Sequence, residues 1–218
     1  NDYSKALDYF KKSLKLDLSF FGENHPSVAS GYYNIGYVYF AQGDYSKALE
    51  YFEEVLKIRL SVYGENHSRV ASVYNDIGEI YSVQGDDFKA LDYFKKSLKI
   101  VLSVYGENHS QVSSIYDHIG EIYFAQKDYS KALYYFEESL KIRLSLFGEN
   151  HPEVALSYYS IGSLYIIQGD KSKALNYYEK SLKIRLSVYG ENHPLTKEIM
   201  DLINVANSKV LQSPETTK

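Results

Sequence analysis

The tetrapeptide Gly-Glu-Asn-His occurs five times in this chain, and its even spacing constrains the fold more than any other feature. Its glycines stand at positions 22, 64, 106, 148 and 190, so that each copy follows the previous one after 42 residues. A fixed period of this length indicates a repeat architecture, in which every unit packs mainly on its sequence neighbours. We therefore expect one continuous body built from copies of a single unit.

Each repeat has the same internal order, which predicts two helices joined by a tight turn. An apolar run around Tyr-x-x-Ile-Gly-x-x-Tyr follows the corner, a Gly-Asp break ends that run, and a Lys-Ala-Leu-x-Tyr-Phe segment begins the second half. Apolar residues in both halves recur every three or four positions, as on one face of a helix. The prediction is an all-α solenoid of about ten helices over residues 1–211, with a lone second helix at 3–21, antiparallel pairs within 25–63, 67–105, 109–147 and 151–189, a last helix at 194–211 and a disordered tail at 212–218.

The chain begins in the middle of a repeat, because Asn1-Asp2-Tyr3-Ser4 corresponds to Gly43-Asp44-Tyr45-Ser46. We therefore expect it to be a piece of a longer protein. The prediction is a monomer, although the half-units at its two ends would also allow end-to-end stacking.

Short signals predict how the helices begin. Asp2 and Asp44 precede second helices and are expected to cap them with their carboxylates. Pro26 opens a first helix, where the missing N–H of proline would be unpaired in any case. Ser68 and Ser110 replace that proline in two of the five corners, and a serine can itself cap a helix.

Glycine occupies two kinds of position, each with a structural reason. Glycines that follow helices, such as Gly22, are expected to adopt the left-handed conformation, and Lys127 stands in a turn where other repeats have glycine. A second set lies inside the first helices, where each glycine costs about 1 kcal/mol relative to alanine. These glycines are Gly36, Gly78, Gly120 and Gly162, and we expect them to admit the close approach of Ala48, Ala90, Ala132 and Ala174 from the second helices.

The residues at the fixed places of the repeat resemble the tetratricopeptide repeat. The pattern of that family corresponds here to Tyr32, Ile35-Gly36, Tyr39, Gly43-Asp44-Tyr45, Ala48, Phe52 and Val55. The 42-residue length and the His-Pro corner are similar to the repeats of kinesin light chains and nephrocystin-like proteins. The resemblance implies helix pairs stacked into a right-handed superhelix whose concave groove, lined by the first helices, binds another protein.

Two departures limit what the resemblance implies about partners. The paired asparagines that face cargo in kinesin light chains are replaced here by pairs such as Tyr33-Asn34 and Asn75-Asp76, so that cargo specificity is not carried over. Arg69 is the only basic residue on the first helices of the four complete repeats, which argues against the binding of chaperone tails.

Ten residues on the first helices are candidates for binding a peptide or helix in the groove. They are Tyr33, Tyr37, Phe40, Asn75, Glu79, Asp117, Glu121, Phe124, Tyr159 and Ile166. These positions differ between repeats whereas the packing positions stay alike. The first helices also carry an excess of acidic residues, with Glu79, Asp117 and Glu121 at the middle of the row. We therefore expect a ligand with a basic centre and apolar anchors.

Other classes of site find little support in the sequence. The chain has no cysteine, one histidine per corner is too isolated for shared metal ligation, and no phosphate-binding or nucleophile motif occurs. We therefore predict no catalysis, cofactor or metal. The net charge of −4 and the lack of a long apolar run argue against nucleic acid and membrane partners. The absence of cysteine fits a reducing compartment, and we predict the cytoplasm. Attraction to the helix dipole explains the basic residues near the ends of the second helices, which are Lys57, Arg59, Lys99, Lys141, Arg143, Lys183 and Arg185.

Three functions agree with these features. The first is a scaffold or adaptor module that binds a peptide or helix in its groove. The second is a sensor or regulatory segment of a larger multidomain enzyme, such as an NTPase or a kinase, which the sequence of the flanking chain would reveal. The third is a structural spacer or self-assembling array.

Overall fold

The computed structural model describes residues 2–208, and every regular element in that range is an α-helix. The helices are α1 (Asp2–Phe21), α2 (Pro26–Ala41), α3 (Tyr45–Tyr63), α4 (Ser68–Val83), α5 (Asp87–Tyr105), α6 (Ser110–Ala125), α7 (Tyr129–Phe147), α8 (Pro152–Gln168), α9 (Lys171–Tyr189) and α10 (Pro194–Ser208). The all-α prediction is confirmed. The predicted end of the last helix at 211 and the predicted tail at 212–218 lie outside the described residues.

The chain divides into two compact units, Asn1–Gly106 and Glu107–Lys218, and each is described by itself. In the first unit α2 pairs with α3 and α4 pairs with α5, while α1 and α3 also pack on the helix that follows them. In the second unit the pairs are α6 with α7 and α8 with α9, and α7 and α9 pack on their following helices. That residues 1–211 form a single continuous solenoid stays a prediction.

A buried aromatic side chain on each second helix forms the centre of each helix pair. Phe52 and Phe94 in the first unit and Phe136 and Tyr178 in the second are at most 5% exposed. Their positions are separated by the repeat length, so one sequence column supplies the same anchor to every pair. Burial of a side chain of this size contributes roughly 2–3 kcal/mol to stability, which makes the column a principal cause of helix pairing.

Histidine, and not serine, caps the first helices at the corners. His67 precedes α4 with an extended backbone, and its Nδ1 accepts a hydrogen bond from the Arg69 N–H at 3.1 Å. The imidazole also stacks on Tyr63 at 4.5 Å between ring centroids, which fixes its orientation. Ser68 and Ser110 are therefore the first residues of their helices, and the expectation that they act as caps is wrong.

The carboxylate caps of the second helices follow the prediction with one exception. The Asp44 side chain accepts a hydrogen bond from the Lys47 N–H at 3.3 Å, as expected of an N-cap. Asp2 instead is the first residue of α1.

The glycines inside the first helices face aromatic rings instead of the predicted alanines. A Cβ placed on Gly120 would lie 2.7 Å from the ring of Phe136, and one on Gly78 would lie 2.9 Å from the ring of Phe94. At Gly162 the carbonyl oxygen of Ala174 is also among the nearest atoms, at 3.3 Å. Close approach is confirmed, but the neighbour is the aromatic anchor of the same helix pair.

The turn between paired helices requires a positive φ angle. Gly43 has φ of +77° and Lys127, at the corresponding place in the second unit, has φ of +62°. The left-handed conformation expected at Lys127 is confirmed. An L-residue with a side chain adopts this region at a cost of about 1 kcal/mol relative to glycine.

Candidate functional site

Five of the ten predicted groove residues lie in each unit, and in each unit the structure brings three of those five together. In the first unit Tyr37 and Phe40 of α2 line a cleft with Glu79 of α4. Phe52 of α3 forms its floor, and Asp76 of α4, which is not one of the ten predicted groove residues, completes its wall. We call this the first-unit cleft; its cavity volume is about 20 Å³.

The second unit contains a cleft of the same construction. Glu121 and Phe124 of α6 face Tyr159 of α8 across the ring of Phe136 from α7, and Ser160 and Ser163 of α8 complete the lining. We call this the second-unit cleft; its cavity volume is about 210 Å³.

The two clefts lie at equivalent positions of the repeat. Tyr37 and Glu121, Phe40 and Phe124, Phe52 and Phe136, Asp76 and Ser160, and Glu79 and Ser163 each stand two repeat lengths apart. Each cleft therefore forms where a first helix, its own second helix and the next first helix meet. The backbone of the repeat creates the cleft, and the residues that vary between repeats determine its chemistry.

Asp76 is the most perturbed acid in the first-unit cleft. Burial and the neighbouring charge of Glu79 raise the pKa of Asp76 to about 7, although a hydrogen bond from Tyr33 and the positive charge of Arg59 oppose the shift. Burial and the same carboxylate in turn raise the pKa of Tyr33. Asp76 is therefore poised to ionise near neutral pH, and a positive charge beside it would favour the ionised form.

The remaining predicted residues of the first unit support the cleft instead of lining it. Tyr33 packs on Phe52 with ring centroids 5.4 Å apart, and the guanidinium of Arg59 lies 5.2 Å from the centroid of the Tyr33 ring. Asn75 donates a hydrogen bond from Nδ2 to Glu79 Oε1 at 2.7 Å, which orients the carboxylate.

In the second unit, Asp117 and Ile166 also lie outside the cleft lining. Asp117 forms an ion pair with the buried Arg143, at 2.7 Å between Oδ2 and Nη1. Burial raises the pKa of Asp117 to about 6, and the charge of Arg143 opposes that shift. Ile166 is 38% exposed near the end of α8.

The arginine column consists of Arg59, Arg143 and Arg185, which stand at one repeat position of the second helices and contact first helices. Attraction to the helix dipole does not predict these contacts. Arg59 donates to the Arg69 carbonyl at 2.7 Å and to Ser72 Oγ at 2.9 Å. Arg143 and Arg185 are each 4% exposed, and Arg143 bridges Asp117 of its own pair to Glu153 of the next first helix, at 2.9 Å.

Arg185 shows the same arrangement at the end of the second unit. Its Nη1 donates to the Leu195 carbonyl at 2.6 Å, and its guanidinium lies 5.0 Å from the centroid of the Tyr159 ring. These arginines therefore connect successive helix pairs and do not lie free at helix ends. The signal was present in the sequence, because Arg59 follows the buried Val55 by four residues and so shares its helix face.

The arginine column alters the electrostatics expected from the first helices alone. Asp117 is neutralised by Arg143, and Glu198 lies 3.6 Å from Arg185. The acidic character that remains at the cleft walls comes from Asp76 and Glu79 in the first unit and from the exposed Glu121 in the second.

Within residues 2–208, no group of three or more histidine and acidic side chains could hold a metal ion. Over the same range, no helix is both long and apolar enough to cross a bilayer.

Comparison with solved structures finds the same fold at low sequence identity. The crystal structure of BtubC (BKLC) from P. vanneervenii is similar with a TM-score of 0.77 and 17% identity, over 100% of this chain and 96% of that one. A putative kinesin light chain from Podosopora anserina, with nearly identical TPR-like repeats, gives a TM-score of 0.70 and 16% identity over 86% and 89% of the two chains. The apo form of RapI gives 0.71 and 18%, over 84% and 64%.

A comparison with curated protein sequences finds no significant match. The sequence model of the tetratricopeptide repeat matches residues 1–61, 28–103, 69–145 and 111–187, which together cover most of the chain. Repeats of this type generally mediate protein–protein binding and are generally non-catalytic. The four overlapping matches and the helix pairs of both units show that the chain belongs to the tetratricopeptide repeat family.

Proposed function

We propose that the protein is a non-catalytic scaffold module of the cytoplasm, and that each unit binds a peptide or helix of a partner through its cleft. The observation that carries this proposal is the recurrence of one cleft with a phenylalanine floor at equivalent positions of both units, each with at least one acid in its lining. Tyr37, at 57% exposed, adds apolar surface at the rim of the first-unit cleft. Such a surface offers an aromatic anchor site beside a carboxylate.

The chemistry of the clefts describes the ligand. An apolar side chain of the partner would pack on Tyr37 and Phe40, or on Phe124 in the second unit, and supply most of the affinity. A lysine or arginine next to it would lie beside Glu79 in the first unit or Glu121 in the second. Complementary charge would raise the association rate, so that binding weakens as salt rises.

A selection experiment with random short peptides displayed on phage tests the proposal. Peptides that bind the wild-type protein should be enriched in adjacent basic and apolar residues. Synthetic, fluorescein-labelled versions of the selected peptides should lose at least about tenfold in affinity when Glu79 and Glu121 are both changed to lysine, because attraction becomes repulsion at each cleft. Fluorescence anisotropy measures the loss, and circular dichroism checks that the helices remain.

The matched control places the same charge changes away from the clefts. Glu53→Lys on α3 and Glu137→Lys on α7 alter exposed acids of the second helices. This control variant should bind the selected peptides as the wild type does. Selection of acidic peptides, equal losses in the two variants, or an absence of selected peptides would contradict the proposal.

A further inference from the structure

A second kind of cleft lies in the second unit and shares no residue with the second-unit cleft. The corner before α6, together with α6 and α7, forms a cavity of about 350 Å³. Two tyrosines, Tyr116 and Tyr134, and two acids, Glu107 and Glu138, line it. We call it the tyrosine cage.

Tyr135 packs against both rings of the cage without itself lining the cavity. The centroid of Tyr135 lies 5.7 Å from that of Tyr116, with the ring planes inclined by 54°. It lies 5.2 Å from that of Tyr134, with an angle of 77°. The π face of a tyrosine ring attracts a cation that lies over it.

In the preceding repeat, the chain itself places an ammonium group on the equivalent rings. Tyr74 and Tyr93 of the first unit correspond to Tyr116 and Tyr135. The Nζ atom of Lys96 lies 6.0 Å from the centroid of Tyr74 and 4.9 Å from that of Tyr93.

The repeat that follows the tyrosine cage contains the same contact. Tyr158 and Tyr177 form the equivalent pair, and Lys180 Nζ lies 5.4 Å and 5.3 Å from their centroids. In two other repeats, therefore, a lysine ammonium lies beside the ring pair, and Asp92 also holds that of Lys96, at 2.7 Å. The geometry of the pair is suited to that ligand.

The tyrosine cage has a carboxylate at the position of the lysine. Glu138 corresponds to Lys96 and Lys180, so the residue that supplies a cation in the neighbouring repeats supplies a negative charge here. Burial, Tyr134 and the charges of Glu138 and Glu107 raise the pKa of Tyr116, as expected in electronegative surroundings.

Lys141 is the one basic residue among those that line the cage in the described part of the chain. Its Nζ lies 3.7 Å from Glu138, but its side chain is 77% exposed. An ion pair this exposed contributes little to stability, and a ligand can displace it. In the first unit Glu54 corresponds to Glu138 and also faces a tyrosine pair. Glu50 stands at the position of Tyr134 in that unit, so this position supplies no further ring.

The geometry points to the tyrosine cage as a binding site for the side chain of a lysine, unmodified or N-methylated, from a partner protein. The ammonium would occupy the place that Lys96 and Lys180 fill in the other repeats, between the tyrosine rings and the carboxylates of Glu138 and Glu107. This contact would add a second attachment point on a surface distinct from the proposed peptide clefts.

Ligand-observed NMR on the whole chain tests the inference with three probes. Nα-acetyl-lysine methylamide, its Nε-trimethyl derivative and the neutral norleucine analogue differ only at the end of the side chain. Both cationic probes should show saturation transfer from the protein, whereas the norleucine probe should not. A stronger signal from the trimethyl derivative would identify methylated lysine as the preferred form, and a stronger signal from lysine the unmodified one.

Glu138→Lys is the decisive variant, because it recreates the internal cation of the neighbouring repeats and should fold as they do. It should reduce affinity for the cationic probes by at least about tenfold. Glu54→Lys, with the same charge change in the first unit, should retain most of the binding. The double change Lys180→Glu with Asn176→Tyr should create a further site. Equal signals from the norleucine probe, unchanged binding by Glu138→Lys, or no signal from either cationic probe would overturn the inference.

Discussion

The first-unit and second-unit clefts share a backbone and a phenylalanine floor but differ in where their charge lies. In the first unit the acids Asp76 and Glu79 belong to the helix that follows, α4. In the second unit serines occupy those places, and the acid is Glu121 of α6. The repeat therefore keeps the place of the cleft and its phenylalanine floor, while each unit sets independently where a basic group can lie beside it.

The largest difference between the clefts should be their response to pH. The folded-state pKa of Asp76 is about 7, whereas its ordinary value is 3.8. The folded state is therefore not penalised by Asp76 below pH 4, and it loses stability as pH rises through 7 and the buried carboxyl ionises. Asp76→Asn should therefore raise the free energy of unfolding by about 4 kcal/mol at pH 8 and by less than about 1 kcal/mol at pH 4. Urea unfolding at the two pH values measures this.

Ser160→Asn provides the matched control in the second unit, because it introduces the same side chain at the equivalent position. It should produce no such pH-dependent gain. If Asp76→Asn stabilised the protein equally at both pH values, the buried charge would not explain the effect.

The floors of the two clefts should differ in their tolerance of larger residues. A Cβ at Gly120 would lie 2.7 Å from the Phe136 ring, whereas one at Gly36 would lie 3.1 Å from Tyr51 and 3.4 Å from Phe52. Gly120→Leu should therefore lower stability by about 3 kcal/mol through overpacking, and Gly36→Leu by less. Thermal unfolding ranks the two variants, and a melting temperature unmoved by Gly120→Leu would disprove the packing explanation.

A smaller effect is expected at the turns that precede the two floor helices. Lys127 has a left-handed backbone where the first unit has Gly43. Lys127→Gly should stabilise the protein by about 1 kcal/mol, and Gly43→Lys should destabilise it by a similar amount. Opposite signs in denaturant unfolding support the account; a neutral or negative result for Lys127→Gly would mean that its turn is not strained.

Much of the fold could be predicted because the repeat presents every local signal several times. The Gly-Asp breaks and the corner located the helix ends, and comparison of Gly43 with Lys127 indicated a positive φ angle at a lysine. The glycines inside the first helices indicated close approach. Their neighbour was predicted wrongly because periodicity gives the face of a helix but not how far an aromatic ring reaches across it.

The candidate site was less predictable, since it depends on side chains from three helices. Burial of Asp76 follows from packing between α2, α3 and α4, which no single helical pattern reveals. Arg143 looked like a residue that complements the helix dipole, but its long side chain extends to Asp117 and Glu153. Charge counts over the first helices alone therefore overstated the acidity of the surface.

The central claim, that partners bind at the clefts, is tested most directly by site-specific photo-crosslinking. A benzophenone amino acid would replace Tyr37 in the first-unit cleft, Phe124 in the second-unit cleft, or the 84%-exposed Phe88 on α5 as an outside control. With a selected basic–apolar peptide as the probe, we expect crosslinks from positions 37 and 124. Both crosslinks should be lost when Glu79 and Glu121 are changed to lysine. Crosslinking from position 88 alone, or equally from all three positions, would contradict it.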